Sequence, residues 1–229
     1  MQLTVRQAAA YFGVDDQTLR RWIAERGLPV HRANERLHLN AIEMWEWAIE
    51  HGVPVSRRLL GDARKTPDQV SPLCDLLERG GIHADAAGSE KSGVLAGIVA
   101  RLPLPPEVDR DFLLTVLEAR EAMGSTGIGD GIAIPHVRNP ILLHVKRPFV
   151  SLFLLRHPVE FDAIDRKPVH ALFVVVAPSV PVHLRALAQL GHVLRDPALR
   201  GLLAERSPAD RILGRIRELE QGSREPGPE

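Results

Sequence analysis

Residues 124–136 read GSTGIGDGIAIPH, with four glycines and a proline in thirteen positions and a histidine at the end. Glycine tolerates positive φ and lets the backbone approach another group closely, while proline fixes its own φ and restricts the residue before it. The chain must therefore turn here and deliver the imidazole of His136 behind Pro135. Glycines 124, 127, 129 and 131 leave no Cβ between the peptide N–H groups and an incoming anion, so the loop can form an anion nest. It lacks the lysine and adjoining serine or threonine of a nucleotide-binding loop and does not match the dinucleotide fingerprint, which argues against a bare nucleotide site. A neutral imidazole near pH 7 is suited to nucleophilic phosphoryl chemistry and can carry the group as a phosphoramidate.

The sequence around this stretch alternates helix and strand patterns. Helical periodicity covers 74–79, 93–101 and 109–123, and the last of these runs straight into the glycines. Two apolar, β-rich runs follow at 149–155 and 169–177, separated by the polar turn VEFDAIDRKP. Residues 181–194 read as a helix with Leu184, Leu187, Ala188 and Leu190 toward a core, and 208–219 as a last helix. Strands alternating with helices argue for an α/β layer structure rather than a bundle.

A separate organisation precedes it. Residues 56–72, SRRLLGDARKTPDQVSP, lack periodicity and contain Pro67 and Pro72, which marks a linker between a domain at 1–55 and one at 73–221; residues 222–229 form a polar, disordered tail. In the first domain 5–12 is a short helix, Gly13 and Val14 make a turn, and Asp15 or Asp16 caps a second helix to about residue 26 whose apolar side is Leu19, Trp22 and Ile23. A hairpin turning at Asn34 and Glu35 and a third helix over 40–50 complete it. Trp45 and Trp47 stand two apart and cannot share one helical face, so at least one belongs to packing.

Charge bounds the partners. Lysine and arginine number 29 and so do aspartate and glutamate, so no whole-chain field attracts nucleic acid or an acidic membrane, and any such binding must be local. Between Gln17 and Arg36 there are five arginines and two glutamates. Gln17, Thr18, Arg20 and Arg21 on the second helix, with Arg32 and Arg36 on the hairpin, could meet a DNA groove and its phosphates, whereas Asp15 and Asp16 would oppose them. The single cysteine, Cys74, cannot form an internal disulfide. MQLTVRQ has no apolar signal-peptide core and no run is long enough to span a membrane, so a soluble cytoplasmic protein without membrane insertion is expected. No histidine spacing makes a zinc site with one cysteine, and no metal or cofactor is expected.

Two resemblances rest on these residues. LTVRQAAAYFGVDDQTLRRWIAERGLPVHRANERLHLN resembles the excisionase and MerR type of winged helix-turn-helix over about fifty residues. REAMGSTGIGDGIAIPH, residues 120–136, resembles the active-site signature of the type 2 enzyme IIA domain of the bacterial phosphotransferase system, the mannitol, fructose and nitrogen-regulatory class. The likeness continues through EFDAIDRKPVHALFVVVAP and VHLRALAQLGHVLRD. It implies an α/β fold with a mixed β-sheet flanked by helices, His136 as the residue phosphorylated by a histidine phosphocarrier, Arg120 beside the phosphoryl group, and His183 as a second active-site histidine. Gly127, Gly129 and Gly131 would wrap the anion. Ser125 and Thr126 either donate to phosphate or act as turn hydroxyls. The other histidines, among them His144, His157, His170 and His192, default to structural roles.

Three functions follow from these resemblances. A fused helix-turn-helix points to a phosphorylation-responsive regulator of the nitrogen type, acting on DNA or on a regulated protein. A soluble sugar-specific donor would instead pass phosphate to an enzyme IIB partner. A binding module that is never phosphorylated is the third.

Overall fold

The structure is a computed structural model that describes residues 2–33, 36–53, 71–137 and 145–222. The expected hairpin turn at Asn34 and Glu35, residues 56–70 of the expected linker, His144 and the tail from 223 lie outside the described residues. Contacts divide the chain into two compact units, Met1–Val70 with Val180–Ala188, and Ser71–Ser179 with Gln189–Glu229.

The N-terminal unit runs β1 (Gln2–Thr4), α1 (Val5–Phe12), α2 (Asp16–Glu25), β2 (His31–Ala33), β3 (Arg36–Asn40) and α3 (Ala41–Glu50), with an antiparallel sheet in the order β1-β3-β2. Local chemistry sets the helix ends. Thr4 and Gln7 form a reciprocal capping box, with the Thr4 amide donating to Gln7 Oε1 at 2.9 Å. Gly13 leaves α1 at φ 69, a left-handed C-cap, and Asp15 caps α2 by accepting from the Thr18 amide at 2.7 Å. Phe12, Trp22 and Trp47 pack ring against ring, with centroids 5.3 to 6.0 Å apart. Trp47 Nε1–H donates to the Arg26 carbonyl at 2.9 Å, and Trp45 and Trp47 are both buried. The strand β1 carries only three residues, too few to show a period.

From Ser71 onward the elements are α4 (Leu73–Gly80), β4 (Ile82–Ala86), α5 (Lys91–Arg101), α6 (Arg110–Ala122), β5 (Gly127–Gly129), β6 (Ile132–Ala133), β7 (Phe149–Val159), β8 (Val169–Val176), α7 (Val180–Val193), α8 (Pro197–Ala204) and α9 (Ala209–Gly222); all belong to the second unit except α7, which the division cuts after Ala188. The mixed sheet of this unit has the order β4-β7-β8-β6-β5, with β4 parallel to β7, β7 antiparallel to β8, and β6 parallel to β8. Phe149–Leu155 of β7 and Ala171–Val176 of β8 are buried throughout, as strands covered on both faces require. The one polar residue in that run of β7, Ser151, is satisfied by donating to the Gly80 carbonyl at 2.7 Å. On one face Val94, Ile98, Leu113 and Leu117 of α5 and α6 join Phe153, Phe161 and Leu172 in the core.

Besides the short strands β1, β5 and β6, two elements of this region are not expected from the sequence. β4, with its sequence IHADA, is an edge strand whose polar residues hide the strand signal. α8 falls between the two expected C-terminal helices, capped by Asp196, which accepts from the Leu199 amide at 2.8 Å. In α7 the buried alanine is Ala186 rather than Ala188.

Candidate active site

The glycine stretch folds as a hairpin. β5 and β6 pair Gly127 with Ala133 and Gly129 with Ile132, leaving Asp130 and Gly131 as the two-residue turn. Both turn residues have positive φ, 51 and 72, the pattern of a type I′ hairpin that Asp-Gly favours. Gly131 has a second constraint, since a Cβ there would stand 2.1 Å from His170 Nδ1. Gly127 meets a different neighbour, Ala163, whose Cβ would lie 2.7 Å from an added one. The turn is tied to the β7–β8 loop: the Asp130 amide donates to Asp165 Oδ2 at 2.8 Å, and its carboxylate pairs with Lys167 at 2.9 Å and with Arg200. The Lys167 ammonium, hydrogen-bonded to Asp130, holds that carboxyl below the usual aspartate range.

α6 ends against the same stretch. Arg120 is 8% exposed and donates from Nη1 to the Gly124 carbonyl at 2.7 Å, closing the turn that leaves the helix. Glu121 is buried beside it and accepts from the Thr126 amide at 3.2 Å and from its hydroxyl at 2.6 Å. Lys91 Nζ, at the start of α5, lies 3.4 Å from Glu121 and 2.7 Å from Asp162. The Ser125 hydroxyl donates to the Phe161 carbonyl and accepts from the Gly127 amide. Both hydroxyls of the loop thus bind the protein's own groups.

His136 follows β6 and makes a parallel bridge to Val175 of β8, so its backbone is seated on the sheet. Its side chain is 2% exposed, and Nδ1 lies 2.8 Å from the Ile134 carbonyl. A carbonyl only accepts, so Nδ1 carries the hydrogen and the lone pair of the neutral ring sits on Nε2. Ile134 is fixed in turn by donating its amide to the Thr126 carbonyl at 3.0 Å. The structure therefore gathers Arg120, Ser125, Thr126, Gly127, Gly129, Gly131 and His136 on one hairpin and the helix end that feeds it. His183 lies near the start of α7 and is fully buried.

Residues 75–218 match the family described as "Phosphoenolpyruvate-dependent sugar phosphotransferase system, EIIA 2". The chain belongs to this family. The match spans more than half of the chain and includes Arg120, His136 and His183. A nitrogen regulatory protein of Pseudomonas aeruginosa is 35% identical over 155 residues, covering 66% of this chain and 97% of that protein. A fructose-specific EIIABC component of Bacillus subtilis is 28% identical over 149 residues, covering 64% of this chain and 23% of that protein. The crystal structure of nitrogen regulatory protein IIA-Ntr from Neisseria meningitidis aligns with a TM-score of 0.55 at 29% identity, over 64% of this chain and 99% of that one. Residues 3–48 match a helix-turn-helix domain family.

Within the EIIA domain, Glu121 and Lys91 escaped the sequence reading. No local pattern marks either, though Glu121 adjoins Arg120 at the helix end. The Asp-Gly pair could have identified the hairpin. In the helix-turn-helix unit Gln17, Arg20 and Arg21 are exposed and share one side of α2 at spacings of three and four. Thr18 is half-buried on the first turn, Arg32 is exposed on β2, and Arg36 lies on β3. The Thr18 amide holds the Asp15 carboxyl below its ordinary value. Among the described residues no helix is long and apolar enough to cross a membrane, and no group of three or more histidine, cysteine, aspartate or glutamate residues could hold a metal ion.

Proposed function

We propose that this protein accepts a phosphoryl group on Nε2 of His136 from a histidine phosphocarrier and acts as a nitrogen-type regulatory protein. The observation that carries this reading is the contact between His136 Nδ1 and the Ile134 carbonyl, which leaves the lone pair on Nε2. In the transfer the N–P bond of the donor's phosphohistidine breaks as a bond forms from His136 Nε2 to phosphorus. The donor ring recovers its lone pair, and the His136 ring keeps its Nδ1 hydrogen against Ile134. The positive charge that then develops on the ring is stabilised by that carbonyl, and the guanidinium of Arg120 balances charge on the transferring oxygens. The part of a second active-site imidazole falls to His183 by the family resemblance alone. Little covalent machinery beyond positioning and electrostatics is needed for such a step.

The helix-turn-helix unit extends the reading to DNA. Gln17, Thr18, Arg20 and Arg21 would face the major groove, with Arg32 and Arg36 toward the flanking backbone. Phosphorylation adds charge and acceptor oxygens at His136, and the regulated partner or the DNA-binding state responds to that change. A second reading, transfer onward to an EIIB partner in sugar uptake, is supported by the match to a fructose-specific component.

Intact-mass analysis tests the core of this reading. The protein is incubated with phosphoenolpyruvate, enzyme I and histidine phosphocarrier, beside His136→Ala. Acid-labile incorporation of one phosphate, absent from the variant, is expected; no incorporation into either protein overturns it. Onward transfer to an EIIB protein would favour the sugar-uptake branch.

A further inference from the structure

We infer that Glu121 is the positioning residue that fixes the tautomer of His136, acting through Thr126 and Ile134. This deepens the phosphoryl-acceptor role proposed for His136 and rests on it.

A continuous set of contacts links the two residues. The Glu121 carboxylate receives both the amide and the hydroxyl of Thr126, the latter at 2.6 Å. The Thr126 carbonyl receives the Ile134 amide at 3.0 Å, and the Ile134 carbonyl receives His136 Nδ1–H at 2.8 Å. Each contact fixes the peptide that makes the next one. Thr126 and Ile134 lie on either side of the hairpin turn, so their bond sets the register of the segment that ends on His136. A buried carboxylate is costly without partners, and among the described residues Glu121 meets three donors: the two from Thr126 and the ammonium of Lys91 at 3.4 Å. Lys91 also binds Asp162 and stands 5.5 Å from the centre of the Phe161 ring, whose own carbonyl receives Ser125. The same helix end supplies Arg120 to Gly124. One turn of α6 thus fixes both the start of the hairpin and, through Thr126, the far strand.

Chemistry makes a carboxylate specific here. Thr126 presents two donors, the amide and the hydroxyl, to one side chain. The Thr126 amide is shared by both carboxylate oxygens at 3.2 Å, and Oε1 also faces the Lys91 ammonium at 3.4 Å. Glu121→Gln changes no volume but, with its oxygen kept on the Thr126 hydroxyl, sets an NH2 group against the Thr126 amide and the Lys91 ammonium. Thr126→Val removes the hydroxyl contact alone, and Thr126→Ser restores it.

The test uses the full chain with 15N-labelled histidine. Imidazole 15N shifts of His136, assigned by comparison with His136→Ala, report which ring nitrogen carries the hydrogen, without any phosphoryl donor. The wild type is expected to show Nδ1–H as the dominant form, Glu121→Gln and Thr126→Val a mixture, and Thr126→Ser the wild-type pattern. The rate of labelling by the phosphocarrier is expected to fall about 10- to 100-fold in the first two variants at saturating donor, with the half-saturating donor concentration unchanged, as for a misplaced reactive atom. If Glu121→Gln does not fold, Thr126→Val carries the same comparison. Unaltered 15N shifts in folded Glu121→Gln and Thr126→Val overturn the inference even if His136 is phosphorylated. A wild type that shows the expected shifts but takes no phosphate overturns the acceptor role instead.

Discussion

The β5–β6 hairpin and the exposed side of α2 handle their polar groups in opposite ways. In the hairpin Ser125, Thr126 and Asp130 are all bound to other parts of the protein, and His136 is 2% exposed with its ring fixed by a carbonyl. On α2 the side chains of Gln17, Arg20 and Arg21 extend into solvent, while Asp15 caps the start of the helix. The difference matches the two kinds of phosphate chemistry proposed for these regions. Moving a phosphoryl group between nitrogens needs one lone pair held in place with little reorganisation. Meeting the phosphates of a duplex needs mobile cations that release counterions, and their strength lies in number rather than burial.

Removing Arg120 separates the two regions most sharply. Arg120→Ala is expected to slow phosphorylation of His136 by about 100-fold or more, the usual cost of losing a donor that stabilises transferring charge. DNA affinity of the unphosphorylated protein should not change. Rapid-quench labelling and a binding titration read the two effects; an unchanged labelling rate would remove Arg120 from the transfer step.

Gly131→Ala probes the rigidity of the hairpin. The new Cβ would lie 2.1 Å from His170 Nδ1 at a backbone of φ 72, so a loss of roughly 2–3 kcal/mol in urea unfolding is expected from strain and overpacking together. A loss under about 0.5 kcal/mol would mean the hairpin yields easily, contrary to a tethered site.

For the α2 face, Arg20→Ala and Arg21→Ala are each expected to weaken DNA binding about tenfold and to reduce the salt slope by about 1, with phosphorylation of His136 unaffected. Salt-independent binding, or none in the wild type, would break the nucleic-acid side of the comparison.

The smallest effect concerns pH. Burial pushes His170 below the ordinary histidine value of 6.5. The unfolded chain therefore takes up the proton more readily, so this contribution to stability is present above about pH 6.5 and is lost as the pH falls through the depressed folded value. A Tm lower at pH 5.5 than at pH 7.5, with a smaller difference in His170→Gln, is the expected result. An equal pH dependence in both proteins would contradict it.

Much of this molecule follows from short-range chemistry. Asp15 and Gly13 punctuate α1 and α2, the apolar runs mark β7 and β8, and His136 stands out by its glycine and proline context. Other features depend on partners far along the chain. β4 becomes a strand because β7 pairs with it, and the two-residue β6 takes its place in the sheet because it pairs with β8 some forty residues away. α8 carried an Asp-Pro start signal in a segment short enough to pass for a loop. Glu121 gained its meaning only when the fold brought Thr126 and Lys91 to it, and no helical pattern distinguishes it from a surface glutamate.

The most direct measurement is 31P–15N correlation on the phosphorylated, 15N-histidine-labelled protein. Phosphorus bonded to Nε2 of His136, with the hydrogen retained on Nδ1, is the predicted result. Phosphorus on Nδ1 of His136, or on any other residue, would contradict the assignment that the Ile134 carbonyl makes.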